Sequence, residues 1–280
     1  MVRIFAGLIG LFFCGMLLLG LGDTIIGAIK EPAKPTAEHE FHKHPIAEKF
    51  TFDGPFGQYS KPQLQRGLKV FSEVCSACHS MNLVAFRNFA DLGYSEDEVK
   101  AIAKGWKTET PSINPATGEP ATRPSIAADK IPSPYPNEVA ARAANNNALP
   151  PDLSLMAKAR HNGPAYIYSL LTGYQKQPAE LLKKFPDSET PKGLNYNPYF
   201  ANLNIAMTAP LTSADQVTYD DGTKATVPQM AKDVSAFLAW SAEPKMEARK
   251  STGWAAMIFL LIFTTLAYLS YRSIWADKKH

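Results

Sequence analysis

Cys75-Ser76-Ala77-Cys78-His79 is the segment of this chain whose residue types and spacing have the most specific chemistry. Two thiols at i and i+3 fall on one side of a helical turn. There both can add to the two vinyl groups of one haem, and the histidine that follows reaches the iron from the same side. Cys-x-x-Cys-His is the pattern of covalent c-type haem attachment, and such a histidine is the ordinary first axial ligand. A thioredoxin-like dithiol would need a strand upstream, and a structural zinc site would need a second ligand pair. The upstream pattern is helical instead, and the only other cysteine, Cys14, lies in an apolar segment. The expectation is one haem c held through Cys75 and Cys78, with His79 on the iron.

A second axial ligand is sought among eight methionines. Met1, Met16 and Met257 belong to terminal or apolar segments, and Met246 borders one. Met81 is too close to His79 in sequence to reach the opposite haem face, and Met230 falls on a packing stripe. Met156 and Met207 remain. Met156 follows Leu153 and Leu155 in an apolar run, as a core residue would. Met207 lies in Asn204-Ile205-Ala206-Met207-Thr208-Ala209-Pro210, without capping signals and closed by a proline, which suits a side chain presented at fixed geometry. A thioether on iron favours the reduced state, and with both axial positions filled the metal carries electrons rather than activating oxygen.

The elements that must position these residues are helical. Ser60-Lys61-Pro62-Gln63 has the form of a capping box, and Leu64, Leu68, Phe71, Cys75 and Cys78 continue from it as a stripe at steps of four and three. Ser95 with Glu98 opens a short helix stopped by Gly105, and Pro164 opens another that ends near Gly173. Thr226 with Gln229 caps a fourth, with Met230, Val234, Phe237 and Leu238 turned inward. Strand signals are nearly absent, so the fold is expected to be mainly α. From Thr110 to Pro136 seven prolines forbid long helices, which predicts a long loop inserted around the domain.

Two apolar segments flank this soluble part. Ile4 to Gly22 and Gly253 to Tyr271 are each nineteen residues without a charge, close to the ~20 that a membrane span needs. The first reads as an export signal or an uncleaved anchor. The second, with Trp254, Tyr268, Tyr271 and Trp275 towards its ends, reads as a spanning helix with interfacial aromatics. The resulting organisation is residues 1–30 as signal or anchor, 31–57 as a linker arm, 58–245 as a haem domain, and 246–280 as a C-terminal transmembrane anchor with a short basic tail. His39, His42 and His44 in the arm have no neighbouring cysteine and no helical frame, so they read as solvated rather than as metal ligands. Between Glu31 and Thr252 basic and acidic residues are equal in number, which argues against nucleic-acid binding through a positive surface.

Several stretches together resemble the cytochrome c1 family. Gln65-Arg66-Gly67-Leu68-Lys69-Val70-Phe71 leads into Val74–Met81, Ala141–Ser154 reads ARAANNNALPPDLS, and Ala159-Arg160-His161 is followed by Tyr166 and by Leu170–Tyr174. Asn197-Pro198-Tyr199-Phe200, the Met207 segment and Asp220–Trp240 continue the likeness, which covers about residues 52 to 275. The resemblance implies a cytochrome c-like haem domain with Met207 as sixth ligand. It also implies Arg160 and Tyr166 as partners of the haem propionates, and Asn145, Pro150 and Pro151 as pocket lining. A partly buried propionate needs a donor such as Arg160, although a surface arginine is the plainer reading of that residue alone. The second cysteine pair that some bacterial relatives carry is missing here.

As function, the resemblance implies an electron-transfer subunit of a quinol–cytochrome c reductase, the cytochrome bc1 complex, with no quinol site of its own. It would take electrons from a Rieske iron–sulfur protein and give them to a soluble or membrane-attached cytochrome c. Cytochrome b and the lipid bilayer would be further partners, and the complex would be dimeric. The N-terminus is not rich in arginine and serine as a mitochondrial presequence is, so a bacterial inner membrane with the haem domain on the periplasmic side is expected. Glu96-Asp97-Glu98 and Asp220-Asp221 are acidic runs that would steer a basic partner or simply be solvated. The alternatives are another anchored monohaem cytochrome, or a haem-based sensor or peroxidase with an open iron position.

Overall fold

The computed structural model describes residues 2–31 and 34–278. Its helices in chain order are α1 (Val2–Lys30), α2 (Ala37–Phe41), α3 (Lys61–Glu73), α4 (Glu96–Lys104), α5 (Glu138–Ala144), α6 (Gly163–Thr172), α7 (Ala179–Lys184), α8 (Val227–Ala242) and α9 (Met246–Trp275). Three two-stranded antiparallel sheets complete it. In these β1 (Met81–Ala85) pairs with β4 (Lys130–Ile131), β2 (Thr110–Ile113) with β3 (Pro120–Arg123), and β5 (Asn195–Tyr196) with β6 (Asn204–Ile205). The fold is mainly α, as the sequence predicts.

The frame of the domain is the packing of α3 against α8, with α6 also packed on α8. Leu64, Leu68, Val70 and Phe71 of α3 meet Met230, Val234, Phe237 and Trp240 of α8 in one core, together with Phe86, Phe89 and Leu92. Phe71, Phe237 and Trp240 form a chain of ring contacts at 5.6 Å between successive centroids, the spacing aromatic side chains favour. The approach of α3 to α8 is polar at one point. Asp233, fully buried, accepts from Arg66 Nε at 2.8 Å, from Gln63 Nε2 at 3.1 Å and from Gln229 Nε2 at 2.9 Å.

The capping signals at Ser95, Thr226 and Pro164 all sit where helices begin. Ser95 and Glu98 form a reciprocal capping box on α4, Thr226 accepts from the Gln229 amide on α8, and Pro164 lies in the first turn of α6. Ser60 also immediately precedes its helix, α3, but makes no side-chain capping bond, and the Gln63 side chain is turned inward to Asp233. The proline-rich stretch is also not a plain loop, since it holds β4 and the β2–β3 hairpin. The register Pro111↔Thr122 and Ile113↔Pro120 fits both prolines into a two-stranded sheet, where every strand is an edge. From residue 34 to 57 the arm has no helix or strand apart from α2, and His39, His42 and His44 are exposed. Its end is not a free linker, because Phe50 and Phe52 are buried in the main core.

Both apolar segments are single long helices. Their apolar windows have mean hydropathy 2.5 for α1 and 1.8 for α9, and no residue of either window is buried. A core helix would be covered by protein, so exposed phenylalanines and leucines along all sides of α9 fit a helix surrounded by lipid.

Candidate functional site

Helix α3 ends at Glu73, and the chain tightens into a single 3-10 turn over Cys75–Ala77. The amides of Cys78 and His79 both donate to the Cys75 carbonyl, at 3.1 and 2.9 Å. Ser76 Oγ ties the turn back to the Ser72 carbonyl at 2.7 Å. The cysteines therefore lie just past the α-helix, on a tighter turn than the continuous stripe predicts. Both are free thiols and partly buried. Burial, and then the charge of Cys78, pushes the Cys75 thiol up to about 12. A redox dithiol needs a thiol with a lowered pKa, so this environment is the reverse of that of a thioredoxin-like centre.

His79 is half-buried, and its Nδ1 lies 2.8 Å from the Pro151 carbonyl. A carbonyl can only accept, so Nδ1 carries the proton and Nε2 keeps a free lone pair, the state of a metal-binding imidazole. Burial lowers the pKa of His79 against the opposing pull of the Pro151 carbonyl and Asp152, which keeps the ring neutral at pH 7. Pro151 is held in place by its neighbour. The Asp152 carboxylate accepts from Ser80 Oγ at 2.8 Å, the Asn82 amide at 2.7 Å and the Ser154 amide at 2.9 Å. The Leu153 amide adds a bond to the Ser80 carbonyl at 3.0 Å. Asp152 was not singled out by the sequence, although Pro-Pro-Asp-Leu-Ser has the Asx-turn composition that would have marked it.

The other expected site residues fall into two groups. Asn145 ends α5, where its Nδ2 donates to the Ala141 carbonyl at 2.7 Å and to Tyr135 Oη at 2.9 Å. Against the bond from Asn145, the Tyr135 phenol, which sequence reasoning missed, is raised in pKa by burial and by Cys78, so the proline-rich segment comes near the thiol pair. Pro150 is half-buried, while Pro151 is exposed apart from its carbonyl bond. Arg160 is exposed, with its guanidinium 6.0 Å from the ring centroid of Tyr166 and one donor on the Ala159 carbonyl. The two residues expected at propionates are thus adjacent, and Arg160 has no carboxylate partner among the described residues.

The methionines separate by burial. Met81 and Met230 have no exposed surface, and Met246 is 5% exposed, so their sulfurs are committed to the core. Met16 and Met257 lie on the outside of α1 and α9. Met156 and Met207 both sit half-buried at the edge of the core. The Met207 carbonyl accepts from Tyr174 Oη at 3.1 Å and from Asn195 Nδ2 at 3.3 Å. Burial raises the Tyr174 pKa and keeps that phenol a donor. Neither Tyr174 nor Asn195 was read as functional from the sequence.

Two free thiols on one tight turn, an imidazole with free Nε2, and beside a phenol a guanidinium with no carboxylate partner among the described residues make up a donor set that fits a covalently held haem. Comparisons with known proteins agree with this geometry. The model of the Cytochrome C1 family matches residues 50–278. "Cytochrome c1" of Rhodospirillum rubrum is 47% identical over 82% of this chain and 87% of its own length. "Cytochrome b/c1" of Bradyrhizobium diazoefficiens is 43% identical over 93% of this chain and 39% of its own length. "Cytochrome c1, heme protein, mitochondrial" of Saccharomyces cerevisiae is 44% identical over 88% of this chain and 74% of its own length. With a family match that starts in the core at Phe50 and runs through the Cys-x-x-Cys-His turn to the end of α9, this chain belongs to the cytochrome c1 family of haem-bearing electron-transport subunits of the cytochrome bc1 complex.

Proposed function

We propose that this chain is a membrane-anchored monohaem c-type cytochrome that takes electrons from a Rieske iron–sulfur protein and gives them to a soluble or membrane-attached cytochrome c. The observation that carries this reading is the His79 Nδ1 bond to the Pro151 carbonyl beside two free thiols, because it leaves one imidazole nitrogen and both sulfurs ready for one prosthetic group. Cys75 and Cys78 would form its thioethers, His79 Nε2 and Met207 Sδ would hold the iron, and Arg160 with Tyr166 would hold the propionates. Asn145, Pro150 and Pro151 line the pocket. Bound haem supplies a reversible one-electron centre. The protein's part is to fix both ligands, exclude a third, and keep the polar bonds around them unchanged between oxidation states. No general acid or base is required, and no quinol site is assigned to this chain.

Helix α9 anchors residues 58–245, with Phe50 and Phe52 of the arm completing the core of that domain. In this reading the domain lies on the periplasmic side of a bacterial inner membrane and the basic tail, Arg272 to Lys279, in the cytoplasm. Cytochrome b is the immediate partner within a dimeric complex; the name of the Bradyrhizobium relative, which pairs b with c1, supports this.

Purification from detergent-solubilised membranes tests the reading. We expect an intact mass raised by one haem, colour that survives acid-acetone extraction, and co-purification with cytochrome b and a Rieske protein. Loss of all colour on extraction overturns the covalent site. A coloured chain that purifies with a terminal oxidase instead overturns the assignment of partners.

A further inference from the structure

Phe56 is 76% exposed, the highest value of any aromatic side chain among the described residues, yet its position is fixed. It lies in Asp53-Gly54-Pro55-Phe56-Gly57, a loop gripped by one face of α9 at positions i, i+3 and i+7. Glu247 Oε1 accepts from the Tyr59 amide at 2.7 Å, and Lys250 Nζ donates to the carbonyls of Phe52 at 2.7 Å and Gly57 at 3.1 Å. Trp254 then stacks on Phe56, with centroids 5.1 Å apart and planes 6° from parallel. The loop has no slack at Gly57, where a Cβ would lie 2.2 Å from the Asp53 carbonyl oxygen. The Asp53 carboxylate is turned back onto the Phe50 amide at 2.8 Å, so its charge is not at the tip.

The height of this pair along α9 identifies what covers it. Trp254 is the second residue of the uncharged stretch Gly253–Tyr271, and Lys250 lies one turn, about 6 Å, nearer the domain. Aromatic residues concentrate where hydrocarbon meets headgroup, and lysine stems lie along apolar surface with the amine at that boundary. An exposed ring held parallel to an interfacial tryptophan extends the lipid-facing surface of α9 sideways, beneath the domain.

We propose that the 53–57 loop is a second membrane contact, in which Phe56 enters the lipid interface beside Trp254 and fixes the height of the haem domain above the bilayer. The inference rests on α9 spanning the membrane, as read under the proposed function. It is tested in the assembled complex in native membranes, with photoreactive benzoylphenylalanine replacing Phe56 in one variant and Leu260, at mid-span, in another. Irradiation is expected to yield phospholipid adducts on this subunit at both positions, with yields within several-fold of each other. If position 260 labels lipid while position 56 labels a neighbouring subunit, or gains no adduct, the loop contact is overturned and the span stands. If neither position labels lipid, the spanning role of α9 fails and the loop contact fails with it.

Discussion

Replacing Gly67 with alanine tests whether the α3–α8 contact is as close as the frame of the domain requires. A Cβ at this position would stand 2.2 Å from the Asp233 carbonyl oxygen and 2.6 Å from Phe237 Cβ. Carbon atoms in good contact sit about 3.5–4.0 Å apart, so the helices must separate by about 1 Å. Neither obstacle is the end of a flexible side chain, and no rotamer change relieves it. A gap of that size forfeits roughly a quarter to a half of each dispersion well along the Leu64, Leu68, Phe71, Val234 and Phe237 contacts. Overpacking of this kind costs about 1–3 kcal/mol, and backbone obstacles put it at the upper end. The gain in helix propensity returns about 1 kcal/mol. The expected net loss is about 2 kcal/mol, a roughly 30-fold shift in the unfolding equilibrium. Guanidinium unfolding of the detergent-solubilised protein, followed by far-ultraviolet circular dichroism, should show a lower midpoint at unchanged slope. Gly253→Ala, also within a helix but with nothing within 4 Å of its Cβ, is the control and should leave the midpoint in place or raise it. A Gly67→Ala protein within about 0.5 kcal/mol of wild type would refute the close-packing argument.

Three other outcomes follow from the same contacts. Asp233→Leu strands the largely buried Arg66 with only the more exposed Asp221 and should cost about 3 kcal/mol, most of which Arg66→Met in the same chain restores; a double-mutant cycle with no coupling would sink this account. The Thr223 amide and the Arg66 guanidinium hold the Asp221 carboxyl down at about 2. A lowered carboxyl adds stability above its unfolded value, about 4, and loses it as pH falls to its folded value, so Asp221→Asn should flatten the stability–pH curve between pH ~4 and ~2 by up to one proton. An unchanged slope there contradicts it. Met207→Leu should turn a ferrous protein that ignores carbon monoxide at neutral pH into one that binds it stoichiometrically, while Met156→Leu leaves it inert; the opposite pattern would move the sixth ligand to Met156.

What the sequence reveals and what it hides divide along the range of the interactions. The caps at Ser95 and Thr226 act within three residues, and both helices start where those residues predict. Helix α3 also starts right after Ser60, but without a side-chain cap, and the Gln63 side chain that a reciprocal box would use is bonded instead to Asp233, 170 residues away. The β2–β3 hairpin is hidden by its prolines, which read as breakers until the pairing shows that no neighbouring strand needs their missing amides. Likewise Cys75, Cys78 and His79 are legible as a contiguous motif. The Pro151 carbonyl that fixes the histidine tautomer lies 72 residues on, and Tyr135, Tyr174 and Asn195 act through folding that no short pattern encodes.

The site and the anchor are joined through one helix. Ser241, in the last turn of α8, donates to the Ser154 carbonyl at 3.1 Å, within the segment that aims Pro151 at His79. Two residues later the Glu243 amide closes α8 on Ala239 and Trp240, and α9 begins at Met246, whose amide bonds to the Glu243 carbonyl at 3.1 Å. Tyr59 Oη bonds to the carbonyls of both Ala239 and Glu243, at 3.2 Å each, so the start of α3 is fastened to the same junction. The short connection leaves no flexible linker between the membrane helix and the frame that holds His79. Motion of the domain relative to α9 would have to break these bonds, whereas a carrier that shuttled between partners would need them absent. A chain built this way holds the Cys75–His79 turn at a fixed height relative to α9.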